Sequence, residues 1–347
     1  MSERLLLTAL KGGSNTKIIT LNGKKMTKMP SALEKLPGLR TLNLQNNLIC
    51  KLCPELRTLT KLTLLNLGNN LFEEIPEEMK YLTSLKKLHL FGNRICSIAT
   101  GVCDGLQELI LLNLNDNRLK SLPPEIGRLR NLTCLSISHN QLTEIPTELC
   151  SIESLSELHL NYNQLMSIPE EIKLLRNLQK LFLVRNNIEV LPEGLCRLKK
   201  LRVLDIAGNV IQIFPPGFQN LKLKEFYCEG NPLFLKRPIT ATQPKDIWTL
   251  REIAARFVLD QLDENNDLIM TAIEHYPETK DKLSKARRCA LCRKFFLSEW
   301  LECVQFVSPS KNWKISRNLH LIPLRILLCS YQCFDQRGPN LFGIVQE

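Results

Sequence analysis

Aromatic side chains are scarce in this 347-residue chain, 6% of residues against 44% hydrophobic overall, so a large core has to be built from aliphatic groups. Long apolar runs are missing too: no stretch approaches the roughly 18 residues that a membrane-crossing helix needs. The first apolar stretch, Leu5-Leu6-Leu7-Thr8-Ala9-Leu10, is too short for a secretory signal and no small-residue cleavage site follows it. Glycine is sparse, 15 residues, and none forms a phosphate-cradling loop. Histidine is rarer, five residues. His89, His139 and His159 stand far apart, and no nucleophile, base and orienting acid are spaced to meet, so no catalytic residue is expected. These absences point to a cytoplasmic protein that is not an enzyme, with no transmembrane segment and no small-molecule substrate.

Cysteine, by contrast, is plentiful. Thirteen is an odd number, which fits free thiols in a reducing compartment better than a disulfide framework. The formal charge of +11 raises the question of nucleic acid, but its distribution argues against that partner. Residues 232–347 carry +4 and the first 231 carry +7, with acids interspersed; the densest basic stretch runs only from Lys17 to Arg40.

The dominant signal is a repeat. The pattern L-x-x-L-x-L-x-x-N-x-L begins at Leu39, Leu62, Leu85, Leu109, Leu132, Leu155, Leu178, Leu201 and Leu223. The spacing is 23 residues throughout, except for one step of 24 and a final one of 22. A degenerate first copy begins near Thr16, with Ile19 and Leu21 in phase but Lys24 at the Asn position, making ten copies. Alternating leucines predict a short strand whose inward side chains stack copy on copy, about 4.8 Å apart. The Asn is expected to bond backbone groups as the chain leaves the strand, giving a buried polar ladder. Proline recurs at Pro30, Pro76, Pro123, Pro146, Pro169, Pro192 and Pro215, fixing φ where the outer segment starts. No copy can bury its apolar edge alone, so stability accrues between neighbours.

These residues, with the outer signature Leu122-Pro123-Pro124-Glu125-Ile126-Gly127-Arg128-Leu129, resemble the intracellular 23-residue leucine-rich-repeat family found in Ras-suppressor and Scribble-type proteins. The resemblance covers residues 16 to 233. It implies an α/β solenoid: a horseshoe of about ten repeats with a parallel concave sheet, followed by a small helical, cysteine-rich C-terminal segment. The corresponding domains are an N-terminal cap at 1–15, with Ser2 starting a short helix through Leu10, the solenoid at 16–240, and the C-terminal segment at 241–347. For function it implies a scaffold or adaptor that binds a protein partner.

Residues between the inward leucines should point to the concave face. The central rung reads Thr20, Asn43, Asn66, His89, Asn113, Ser136, His159, Phe182, Asp205, Tyr227. Aromatics and arginine concentrate binding energy, so His159, Tyr162, Phe182, Arg185 and Tyr227 are the expected partner-binding residues.

After Pro232 the period vanishes. Thr249 to Leu262 reads as an amphipathic helix that would shield the last repeat. Thr249, Leu250, Ala254 and Val258 in it resemble the Elongin-binding box of ubiquitin-ligase substrate receptors, although Ala254 stands where that family has cysteine. This resemblance implies an alternative role as substrate receptor in an Elongin/cullin-type ligase. Further on, Cys289-Ala290-Leu291-Cys292 and Cys329-Ser330-Tyr331-Gln332-Cys333 form two close pairs, the spacing of a structural Zn²⁺ site; Cys303 or His320 offers a substitute ligand. The competing reading is four free buried cysteines.

Overall fold

The computed structural model describes residues 13–234, 248–298, 300–315, 319–336 and 341–343. The helix expected from Ser2 to Leu10 lies outside them. The chain divides into two compact units: the first holds 1–211, 217–232 and 310–318, the second 212–216, 233–309 and 319–347.

The first unit is the solenoid. Each repeat contributes a three-residue strand: β1 (Ile18–Thr20), β2 (Thr41–Asn43), β3 (Leu64–Asn66), β4 (Lys87–His89), β5 (Leu111–Asn113), β6 (Cys134–Ser136), β7 (Glu157–His159), β8 (Lys180–Phe182), β9 (Val203–Asp205) and β10 (Glu225–Tyr227). All pair in parallel with their sequence neighbours. The register aligns Thr20 with Asn43, Ser136 with His159, His159 with Phe182 and Asp205 with Tyr227, so the expected rung exists position by position. The in-phase leucines are almost fully buried in one shared interior. The outer side is made of five-residue 3-10 turns entered through proline, as at Pro123, Pro146, Pro169 and Pro192. At the 24-residue step a single α-helical turn, α1 (Val102–Gly105), takes their place.

The asparagines form the expected ladder, and each one serves two repeats. Asn163 Nδ2 donates to Leu160 O at 3.1 Å in its own repeat and to Ile137 O at 2.9 Å in the preceding one. Its Oδ1 accepts from Leu142 N, also in the preceding repeat, at 3.0 Å. The same bonds recur from Asn47 to Asn231. Just before each Asn the backbone turns left-handed, at Asn46, Asn69, Gly92, Asp116, His139, Tyr162, Arg185, Gly208 and Gly230, and Gly23 does the same before Lys24 in the first repeat.

The sheet does not stop at β10. A further parallel strand, Lys314–Ile315, pairs with Glu225 and Phe226, and Trp313 packs its ring edge-on against Phe218 and Phe226. The residues covering the last repeat in this unit therefore come from far down the chain, where no period announces them.

The second unit starts with α2 (Leu250–Asp263), α3 (Asp267–Glu274) and α4 (Pro277–Ser284). A two-stranded ribbon follows, β11 (Arg287–Arg288) with β12 (Phe295–Phe296), and then an antiparallel sheet of β13 (Leu301–Val307), β15 (Ile322–Leu328) and β16 (Leu341–Gly343); β14 is the Lys314–Ile315 strand of the solenoid. Between β15 and β16 in sequence lies α5 (Tyr331–Asp335). The boundary of α2 agrees with the helix read from sequence, and Thr249 is its N-cap, accepting from Glu252 N at 3.2 Å.

Candidate functional site

Two places gather chemistry-bearing side chains. The first is the concave rung around repeats seven to ten. His159 on β7 stacks on Phe182 of β8, ring centroids 4.6 Å apart and ring planes nearly parallel. At the left-handed positions beside the strands, His139 stacks on Tyr162 at 4.2 Å, and the Arg185 guanidinium lies 5.4 Å from the Tyr162 ring centre. The five expected partner-binding residues thus sort into two files. His159, Phe182 and Tyr227 belong to the strand rung, Tyr162 and Arg185 to the adjoining turn. His139 joins the second file; its repeat position could have revealed it, because it precedes Asn140 as Tyr162 precedes Asn163.

The electrostatics of the rung are set by burial and neighbours. Burial lowers the pKa of His159, against a partial upward pull from Glu157, so the imidazole tends to the neutral form. Glu157 is held below the usual carboxylate range by Lys180, whose Nζ lies 2.8 Å away. Tyr227 Oη donates to Glu225 Oε2 at 3.1 Å. Cys134, Glu157 and His159 place ligand atoms within 4.8 Å of one another, but Lys180 already occupies the carboxylate.

The second place is the cysteine cluster. Cys289, Cys292, Cys329 and Cys333 bring their sulfurs within 4.8 Å of one another, an arrangement that could hold a metal. The Cys292–Cys329 sulfurs are 3.3 Å apart and the Cys329–Cys333 sulfurs 3.6 Å. Local structure explains the convergence. The β11–β12 ribbon turns tightly at Cys289–Cys292: Cys289 N donates to Lys294 O at 2.8 Å, and Arg293 is left-handed. Ala290 N bonds Leu327 O, fastening that turn to the end of β15, where Cys329 follows. Ser330 caps α5, its Oγ accepting from Cys333 N at 3.3 Å, which sets Cys333 one helical turn from Cys329. Burial resists ionisation of Cys289, yet backbone N–H groups of Cys329, Cys292 and Leu291 bring it down to about 7. Cys329 and Cys333 are pushed up, by burial first and then by neighbouring thiols. Cys303 is buried on β13 and is not among the four, nor is His320.

The helix with the docking-box resemblance touches this cluster through a buried ion pair. Arg256 donates from Nε to Glu252 Oε1 at 2.7 Å and from Nη1 to Cys329 O at 2.9 Å. Glu252 also accepts from Leu297 N, Ser298 N and Ser298 Oγ. Burial works against that carboxylate, but these donors outweigh it and keep it below the usual range. Of the box residues, Thr249 and Ala254 are exposed and Leu250 is 85% exposed, whereas Val258 packs against the core of Ala255, Leu259 and Leu283.

Comparison with known proteins adds the following. The pattern of the family described as "Leucine rich repeat" matches residues 37–95, 107–165 and 176–233. A mouse protein called "Leucine-rich repeat-containing protein 69" is 76% identical over 347 residues, covering 100% of both chains. A human protein of that name is 73% identical over 346 residues, again covering 100% of both. Among solved structures, the plant peptide hormone receptor RGFR1 in complex with RGF2 is 26% identical with a TM-score of 0.53, over 62% of this chain and 40% of that one.

Proposed function

Because this chain belongs to the leucine-rich repeat family, whose members generally mediate protein–protein interaction, we propose that it is a non-enzymatic scaffold or adaptor that grips a protein partner on the concave face of repeats seven to ten. The observation that carries this reading is the pair of files His159–Phe182 and His139–Tyr162–Arg185. Stacked rings are rigid before any partner arrives, so little side-chain freedom is lost on binding. Tyr162 and Arg185 are exposed beside the half-buried Phe182, which is the mix of aromatic and arginine that concentrates affinity. The related receptor RGFR1 is itself known in a complex with RGF2.

The test is proximity labelling with the intact protein and with Phe182→Ala/Arg185→Ala. The expected outcome is a defined protein lost from the variant's set while the thermal transition stays put; an unchanged set overturns the reading. The alternative, a ligase substrate receptor, would dock through Thr249, Leu250 and Ala254, which are exposed, while Val258 is partly buried against Ala255, Leu259 and Leu283.

The cysteine cluster we read as a structural zinc site. Four thiolates around Zn²⁺ at about 2.3 Å put sulfurs about 3.8 Å apart, close to the 3.3 and 3.6 Å here. A dication would also offset the burial that, ahead of the neighbouring thiols, pushes Cys329 and Cys333 upward. Elemental analysis should find about one zinc per chain, lost in Cys292→Ser/Cys333→Ser. A folded C-terminal unit free of zinc at neutral pH would end the idea.

A further inference from the structure

Repeats seven and eight carry a second feature, on the stretches that follow their outer turns. Lys173, Arg176, Arg197, Lys199 and Lys200 surround one cavity of about 550 Å³, with Leu174 as its apolar wall. Arg176 and Lys199 hold the same position one repeat apart, on the stretch between the 3-10 turn and the following strand. Cations at the C-terminal end of a short helical turn are ordinary, since they complement its dipole. That accounts for Lys173 and Arg197, which lie within the turns, and not for Arg176, Lys199 and Lys200, which lie beyond them. Among the described residues none of the five cations is in an ion pair; Lys200 Nζ reaches only the amide of Asn177, at 2.6 Å. Glu170, on the same turn as Lys173, is engaged elsewhere: it accepts from Glu193 N and Gly194 N with its two oxygens.

We propose that this cavity binds a small, multiply phosphorylated anion of the inositol polyphosphate class, free or as a lipid headgroup. Several cations converging on one hollow match several phosphates on one compact molecule, and arginine with lysine is the usual donor pair for phosphate oxygens. Arg176 and Lys199 hold equivalent positions in neighbouring repeats, so two rows of cations lie side by side along the hollow. A nucleic acid fits less well. The basic set is confined to two repeats, and no aromatic ring lines the cavity to stack on a base.

The test titrates the full-length chain with inositol hexakisphosphate at about 0.15 M salt. It compares Arg176→Glu/Lys199→Glu/Lys200→Glu with a control of equal charge change, Lys61→Glu/Lys86→Glu/Lys120→Glu. We expect one site per chain, weakened roughly ten-fold or more in the first variant and within about two-fold in the control. The milder Arg176→Gln/Lys199→Gln should move affinity the same way if the triple reversal disturbs folding. Flotation with vesicles containing phosphatidylinositol bisphosphate, beside vesicles of phosphatidylserine, separates the sources. Capture by the former alone assigns a lipid headgroup, and binding of the soluble probe without capture assigns a free one. Equal loss in the control, binding of neither probe, or tighter binding of a single-stranded RNA or a phosphopeptide would each overturn the proposal.

Discussion

Asn163 shows how much a single side chain does here. Its three buried hydrogen bonds tie two repeats together, and replacing it with leucine leaves a backbone N–H and two carbonyls without partners. At about 1–3 kcal/mol for each buried orphan, partly relieved by relaxation, Asn163→Leu should cost about 3 kcal/mol. A shift of less than about 0.5 kcal/mol in urea unfolding would refute that bookkeeping. Arg185 behaves in the opposite sense. It sits at φ 53°, which a long side chain adopts only with strain, whereas glycine does so freely. Arg185→Gly should therefore leave stability unchanged or raise it by about 1 kcal/mol while abolishing partner capture. Destabilisation on calorimetry would show that the guanidinium–Tyr162 contact supports the fold and not a partner. The asparagine was legible in the sequence, because a position repeated at a fixed period has a fixed job; the left-handed turn before it was not, since residues as different as Gly, Asp, His, Tyr and Arg occupy it. The stacking of His139 on Tyr162 follows from the same periodicity, but a ring contact leaves no mark in a single repeat's pattern.

Among the elements, the strands were readable and their terminator was not. Nine matches to one pattern specify β2 to β10, since alternate leucines can be buried only by neighbours in phase. β14 has two residues and joins Glu225–Phe226 across a long sequence gap, so nothing local distinguishes Lys314-Ile315 from a loop. Trp313→Ala removes the ring that lies on Phe218 and Phe226 and should cost about 3–5 kcal/mol, felt as faster hydrogen exchange in repeats nine and ten. Unchanged protection there would mean that the cover is dispensable. Likewise α2 was legible as amphipathic, but its buried face turned out to carry a charge pair. Glu252→Gln leaves Arg256 buried beside Cys329 O without its counter-charge and should destabilise the second unit by about 3–5 kcal/mol. The depressed pKa of Glu252 fixes the sign with pH. Its contribution is complete above the ordinary carboxylate range and disappears as pH falls through the lower folded value. A wild-type acid transition no steeper than that of Glu252→Gln would contradict this.

For the whole chain, the array behaves as a sum of like units. Excising one full period, residues 132–154, brings β5 beside β7 with leucines still in phase, and the shortened chain should fold with a lower melting temperature. Loss of all cooperative unfolding would show that the repeats are less interchangeable than their sequence. The cysteine pairs were visible as pairs, yet only the fastening of the Cys289–Cys292 turn to the end of β15 brings the two together. The asparagine ladder also has a direction, for every Asn completes the backbone of the repeat before it. On the ribosome, then, the newest coil always trails with an amide and a carbonyl waiting for a residue not yet translated. Tyr227 and its strand wait longest, presenting a bare edge until synthesis has passed Ile315, so a helper that shelters growing chains has most to do in that interval.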